Sequence, residues 1–148
     1  MTFLRSAKIK VVRDVKMPQY SSEGAAALDF YVPNDIGWES KVLRQGEVIN
    51  IPSGICIQLP QQSALMVFNK SSRGVVGIIK GAELIDEDYR GEIHLNVMNV
   101  SREEVTIRKG EKLVQMVCVP YFKLKLYESN ELEPSERGSG GFGSTGLN

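Results

Sequence analysis

The chain has 148 residues, enough for one domain with its own buried core. Lysine plus arginine and aspartate plus glutamate number 18 each, so the formal net charge is +0 and no overall field favours a polynucleotide or an anionic membrane as partner. The opening stretch, Met1 to Lys8, lacks an apolar core of signal length, and no later run reaches the ~18 apolar residues of a membrane span, so a soluble, intracellular, cytoplasmic protein is expected.

Period-two alternation dominates the chain. Strands are expected over residues 9–12, 28–31, 48–51, 55–59 and 65–68, punctuated by Pro18, Pro33, Pro52, Pro60 and glycine turns. No segment sustains the i, i+3, i+4, i+7 pattern for three turns, so at most a turn or two of helix follows Ser71 and Ser72. Further strands are expected at 93–98, with His94 and Asn96 opposite the branched residues, at 105–107, at 113–119 and at 122–126, where Phe-Lys-Leu-Lys-Leu alternates most cleanly. Short strands at this spacing predict an all-β jelly roll, sandwich or barrel. Cys56 and Cys118 both lie in apolar strand-like runs and are expected buried and reduced. Residues 1–127 read as the β domain. The acidic stretch 128–136 reads as a linker, and it frees a glycine-rich C-terminal arm that runs on to residue 148.

Several chemistries lack material. His94 is the sole histidine and has no cysteine or carboxylate at metal-ligand spacing, and nothing places a serine nucleophile for a serine triad. No GxxxxGK[ST] loop occurs, nor a GxGxxG between a strand and a helix. Carboxylates, cations and hydroxyls remain, a set suited to phosphoryl chemistry at a hard metal ion.

Five segments carry that set. Ala25-Ala26-Ala27-Leu28-Asp29-Phe30-Tyr31 puts a carboxylate inside an apolar strand, where it needs a metal or cation partner. Asn69-Lys70-Ser71-Ser72-Arg73-Gly74 joins cations and hydroxyls at a turn; it reads as an anion site or as a plain serine cap. Leu84-Ile85-Asp86-Glu87-Asp88-Tyr89-Arg90-Gly91-Glu92 is an acidic turn, either a charged hairpin tip or a cleft edge. There Asp86, opposite to Ile85 by alternation, is an acid able to take a proton from water, and Tyr89 offers a flat face to a sugar. In the turn and strand 108–116, Gln115 is the odd polar residue, serving a ligand or neighbouring backbone. The tail, Arg137 to Gly146, has five glycines in ten residues, too little apolar surface to fold alone. Its arginine, hydroxyls and Phe142 suit a lid over a nucleotide, and its composition equally suits a plain flexible tail.

In this order and over most of the chain, the five segments closely resemble the five motifs of the trimeric dUTP pyrophosphatases (dUTPases), with Ile51-Pro52-Ser53-Gly54-Ile55 a further family-like stretch. The resemblance implies jelly-roll subunits in a homotrimer with shared active sites, and Mg²⁺-assisted hydrolysis of dUTP to dUMP and pyrophosphate, which keeps uracil out of DNA and supplies a thymidylate precursor. It implies that Asp86 is the base that directs water at the α-phosphorus and that Tyr89 packs beneath the deoxyribose. Main-chain groups around Gly81, Glu83 and Ile85 would bind uracil, and Lys70, Ser71, Ser72 and Gln115 the phosphates. Asp29 would hold Mg²⁺ through its water shell. From the tail, Phe142 would stack on the base while Arg137, Gly143, Ser144 and Thr145 close on the phosphates. Three departures stand out: Lys70 replaces an arginine, Glu83 replaces a glycine, and the first motif lacks its usual glycine.

Two other functions are compatible with parts of this pattern. A dCTP deaminase-like enzyme shares the fold, but places a glutamate base where this chain has Asn96, and an amide cannot shuttle protons. A dUTP-sensing regulatory binder would use the same closed tail as a signal to a protein.

Overall fold

Residues 5–141 are described by the structure, a computed structural model. In chain order the strands are β1 (Lys8–Val11), β2 (Gln19–Tyr20), β3 (Leu28–Tyr31), β4 (Ser40–Leu43), β5 (Val48–Pro52), β6 (Ile55–Gln58) and β7 (Ser63–Asn69). One short helix, α1 (Ser71–Gly74), then leads to β8 (Ile78–Lys80), β9 (Leu84–Ile85), β10 (His94–Asn99), β11 (Val105–Arg108) and β12 (Lys112–Pro120). The all-β class expected from alternation is what forms. Among the described residues no helix is long and apolar enough to cross a membrane.

All strand pairs are antiparallel, and the largest sheet has the order β2-β3-β12-β7-β9. Three smaller sheets, β5-β10-β8, β1-β6 and β4-β11, complete the fold. The inward rows meet in one core that includes Phe30, Ile51, Ile55, Leu65, Leu95, Ile107 and Met116. Along β10 the alternation is complete: Leu95, Val97 and Asn99 are buried while His94 faces solvent. Asn99 is one of four buried polar residues among the described ones, with Asp29, Ser53 and Ser63. Its amide donates to the carbonyls of Leu43 (2.8 Å) and Glu103 (2.7 Å) and its oxygen accepts from the Ser101 amide (2.9 Å) and hydroxyl (2.7 Å), so burial leaves it satisfied.

Several elements depart from expectation. β4, with three of its four residues exposed, shows no buried stripe in the sequence and exists because it pairs with β11. β8 and β9 are only three and two residues long, too short for periodicity to register. Residues 122–126 alternate well but form no strand, because no neighbour pairs with them; Phe122, Leu124 and Leu126 stand 94%, 80% and 84% exposed. The cysteines are unpaired but not buried: Cys56 is half-buried, and Cys118 is exposed near the end of β12, where the burial alternation of that strand breaks down.

The outer face of the large sheet is apolar and uncovered. Leu65 and Val67 point inward from β7, which turns Met66 and Phe68 outward, and the register sets Leu84 and Val117 beside Met66. On the inner face Phe30 is fully buried, and Phe30→Ala should cost about 3–5 kcal/mol of stability in urea unfolding; a loss under about 1 kcal/mol would mean that this side of the core is not packed as described.

Candidate active site

The acidic turn leaves the large sheet at its β9 edge. Ile85 is buried, and Asp86, one residue on, is exposed in a cleft of about 530 Å³ whose walls include Met66, Leu84, Glu87, Tyr121 and Lys123. The Tyr89 amide donates back to the Asp86 carbonyl (3.2 Å), and Arg90 donates to the carbonyls of Glu87 (2.7 Å) and Tyr89 (3.0 Å), so the turn is bonded across its own backbone.

Both ends of the turn are also tied to the body of the protein. At the front, Glu87 accepts a hydrogen bond from the Gln62 amide, and the Tyr121 hydroxyl followed by that amide holds its carboxyl below the usual range. At the back, Glu92 takes a fork from Arg13, with Nε at 2.6 Å and Nη2 at 3.2 Å, and the Gly54 amide at 2.8 Å. Arg13 is the main reason that the Glu92 carboxyl is also lowered, against the opposing effect of burial. Tyr89 lies between these anchors, its hydroxyl donating to the Glu92 carbonyl (2.9 Å).

The segment before the turn is engaged through its backbone. The Gly81 amide donates to the Asn96 carbonyl (2.9 Å), and a Cβ at Gly81 would press on the Asn96 side-chain oxygen and turn it aside. The Glu83 carbonyl accepts from the Val67 amide (2.8 Å), while its side chain pairs with Lys80.

Across the sheet lies a second group of polar residues. Asp29 on β3, Gln115 on β12 and Phe68 on β7 form one rung. Gln115 donates to the Asn69 carbonyl (3.0 Å) and, with Ala25, Ala26, Ala27 and Lys80, lines a cleft of about 580 Å³. Ser71 and Ser72 are exposed just beyond β7. Lys70 Nζ hydrogen-bonds Asp29 Oδ1 at 2.9 Å, and Lys112 Nζ lies 2.6 Å from Oδ2 as an ion pair outside hydrogen-bonding geometry. Burial pushes the Asp29 carboxyl up, but Lys112 and Lys70 together outweigh it and hold it below its ordinary value. Arg73 pairs with Glu111 at 2.5 Å; burial there wins, and the Glu111 carboxyl is raised.

Among the described residues no group of three or more His, Cys, Asp or Glu side chains stands ready to ligate a metal. Asp29, a single buried carboxylate flanked by two ammonium groups, does not fit direct ligation. With Oδ1 on Lys70 and Oδ2 2.6 Å from the Lys112 ammonium, any contact it makes with a metal ion runs through that ion's water shell. In the tail, Arg137 donates to the Gly140 carbonyl (2.9 Å), and Phe142, Gly143, Ser144 and Thr145 lie outside the described residues.

A family model described as dUTPase matches residues 13–146. The chain belongs to the dUTPase family. It is 37% identical over 141 residues to a deoxyuridine 5'-triphosphate nucleotidohydrolase of Hydrogenobaculum sp., covering 93% of this chain and 95% of that one. It is likewise 37% identical to the enzyme of that name from Clostridium acetobutylicum, with 95% and 96% covered. Among solved structures, a variant of the Staphylococcus bacteriophage 80alpha dUTPase with dUpNHpp superposes with a TM-score of 0.84 at 22% identity, covering 97% of this chain and 100% of that one, a likeness of fold. The dUTPase of phage phi11, described with a structural Mg(II) ion, superposes with a TM-score of 0.73 at 18% identity over 86% and 98%. The chain is thus a dUTP diphosphatase of jelly-roll fold.

For a dUTPase, the register carries a geometric consequence. Ile85 pairs with Leu65, so Asp86 lies level with Ala64, near the start of β7, whereas Lys70 and Ser71 follow the end of that strand. At ~3.3 Å per residue the Asp86 turn and the Lys70-Ser71 cluster are roughly 20 Å apart along one chain. The two clefts share none of their lining residues. Alternation drew attention to Asp29, Asp86 and Gln115, but not to Arg13, Glu92, Lys112 or Tyr121, whose importance comes from partners between 34 and 83 positions away in sequence, signalled only by the family-like Ser53-Gly54 turn for the first pair.

Because the folded Asp29 carboxyl lies below its ordinary value of 3.8, its ion pairs contribute stability that is complete above that pH and is lost as pH falls through the lowered folded value. Urea unfolding of the native protein and Asp29→Asn should therefore show a gap that is widest near neutrality and closes on acidification below 3.8; a gap independent of pH would exclude this role.

Proposed function

We propose that three copies of this dUTPase chain build shared active sites in which Asp86 of one copy faces the Ser71 and Gln115 cluster of another. Each site hydrolyses dUTP to dUMP and pyrophosphate. The observation that carries this reading is the separation of the two clusters along β7. A nucleotide held by the Asp86 turn has its phosphates out of reach of the same chain's Ser71, and a second copy supplies the missing half. The uncovered Met66, Phe68, Leu84 and Val117 face, and the unpaired alternating segment 122–126, supply apolar surface and strand-forming sequence for such an assembly.

Within the site, Asp86 orients a water and takes its proton as the water oxygen bonds to the α-phosphorus, and the bond to the bridging oxygen of the pyrophosphate breaks. Tyr89 forms the floor under the deoxyribose, and backbone groups around Gly81, Glu83 and Ile85 read the uracil edge. Lys70, Ser71, Ser72 and Gln115 hold phosphate oxygens; for Lys70 this requires sharing its ammonium with Asp29. Asp29 is the residue that would meet the water shell of a Mg²⁺ bound with the triphosphate, and such an ion would offset charge on the leaving pyrophosphate. The arm of residues 128–148 closes the site, Arg137, Gly143, Ser144 and Thr145 toward phosphate and Phe142 over the base. Hydrolysis keeps uracil out of DNA and yields dUMP as a thymidylate precursor.

Asp86→Asn should lower turnover of dUTP by about 10²–10⁴-fold while dUTP affinity stays near that of the native protein; turnover at the native rate would exclude Asp86 as the base. Light scattering should give three times the 16.4 kDa chain mass. A chain fully active as a monomer would overturn the composite site. Removal of residues 137–148 should cut the rate and leave the trimer intact, whereas a truncated protein that dissociates would show the arm to be structural.

A further inference from the structure

Arg13 and Glu92 have no contact with substrate in the site proposed above, yet the Tyr89 side chain rests on the backbone that they hold. The Tyr89 ring folds onto Gly91 so closely that a Cβ there would sit 2.5 Å from its hydroxyl oxygen and 2.6 Å from Cζ. The hydroxyl itself is bonded to the Glu92 carbonyl at 2.9 Å. The ring therefore rests on the Gly91-Glu92 backbone. That backbone is fixed in turn by the Glu92 carboxylate, which receives Arg13 Nε (2.6 Å), Arg13 Nη2 (3.2 Å) and the Gly54 amide (2.8 Å).

The receiving end is rigid. Gly54 has φ +77°, and a Cβ added to it would meet Val15 Cγ1 at 2.7 Å and Arg13 Cβ at 2.8 Å, so glycine is what lets Arg13 approach. The Ser53 amide donates to the Ile93 carbonyl (2.9 Å), the Ile93 amide to the Ile55 carbonyl (2.8 Å), and the Val12 amide to the Gly54 carbonyl (2.8 Å). Arg13 precedes the large sheet, and nothing in its neighbourhood links it to nucleotide except this chain of contacts. A planar fork on a carboxylate fixes orientation as well as distance, which a lone ammonium does not.

We propose that Arg13 and Glu92 are positioning residues for sugar selection: seated on the Gly54 amide, the pair holds the Gly91-Glu92 backbone on which Tyr89 rests, and so sets the clearance in which a deoxyribose fits and a ribose does not. This rests on the reading of Tyr89 as the floor under the sugar. Loss of the pair lets the ring settle lower and admits a 2'-hydroxyl.

The test compares kcat and KM for dUTP and UTP in the native full-length protein and in Glu92→Gln, Arg13→Gln, Arg13→Lys, Tyr89→Ala and the double variant Tyr89→Ala/Glu92→Gln. The preference for dUTP over UTP in kcat/KM should fall about tenfold in Glu92→Gln and in Arg13→Gln, through a gain on UTP and a higher KM for dUTP rather than a lower kcat. Arg13→Lys, which keeps the charge and loses the fork, should recover part of it. Once Tyr89 is alanine, Glu92→Gln should change the preference no further, because its effect passes through the ring. A folded Glu92→Gln protein with the native preference, or one whose preference falls equally with and without Tyr89, would overturn the proposal. If Glu92→Gln does not fold, Arg13→Lys decides, and an unchanged preference there is equally fatal. Native protein that fails to hydrolyse dUTP would sink the underlying reading of the site, whereas native turnover with unaltered preference in the variants sinks the positioning role alone.

Discussion

β7 is the strand on which this protein is organised, because it pairs along its whole length with β12 and at its start with β9. The β12 ladder runs from Val114 opposite Asn69 to Pro120 opposite Ser63, so a slip of one residue would turn Leu65, Val67 and Met116 out of the core. That hydrophobic constraint fixes the polar groups as well. Gln115 is held beside Asp29, Lys70 follows the end of the strand within reach of the same carboxylate, and Asp86 is held at the other end by the single step from Ile85. Chemistry on this fold is thus set by register, and register by burial.

The ion pairs divide the charged residues into those that hold the scaffold and those open to a ligand. Arg73 is committed to Glu111 and Arg13 to Glu92, and Lys112 joins Lys70 in neutralising Asp29. A buried carboxylate with two ammonium partners is costly to break, since removing one side leaves charge in a low-dielectric setting. Asp86 differs: it is exposed, heads the cleft beside Lys123 and Tyr121, and carries no ion pair among the described residues. Glu87 and Glu92, its neighbours in sequence, spend their carboxylates anchoring the turn. Three acids of similar pattern therefore do different work, decided by which of them finds a partner elsewhere in the fold.

The separation of the two polar clusters explains an otherwise odd surface. An exposed row of Met66, Phe68 and Leu84 beside the half-buried Val117 on the outer sheet face is poor design for a lone molecule and sensible for one that meets its own copies there. In the proposed trimer, a contact that covers this apolar surface would also carry Asp86 of one chain toward the Ser71 and Gln115 cluster of another. The alternation of the segment at 122–126 was legible, but a strand needs a partner, and among the described residues none pairs with it.

Local pattern was enough to determine the all-β class, the main strands and the place of the acidic turn, because alternation, proline punctuation and an acid beside a buried isoleucine are properties of neighbouring residues. The family followed from five short motifs read in order along the chain. β4, β8 and β9 were invisible for the converse reason: they are short or exposed, and hydrogen bonds to distant strands, rather than their own residues, make them strands. Tertiary structure alone decided that Asp29 is met by Lys70 and Lys112, that Glu92 is met by Arg13 and Gly54, and that Asp86 and Ser71 stand far apart. Each of these depends on where the chain returns after a long excursion, and no local periodicity encodes that distance.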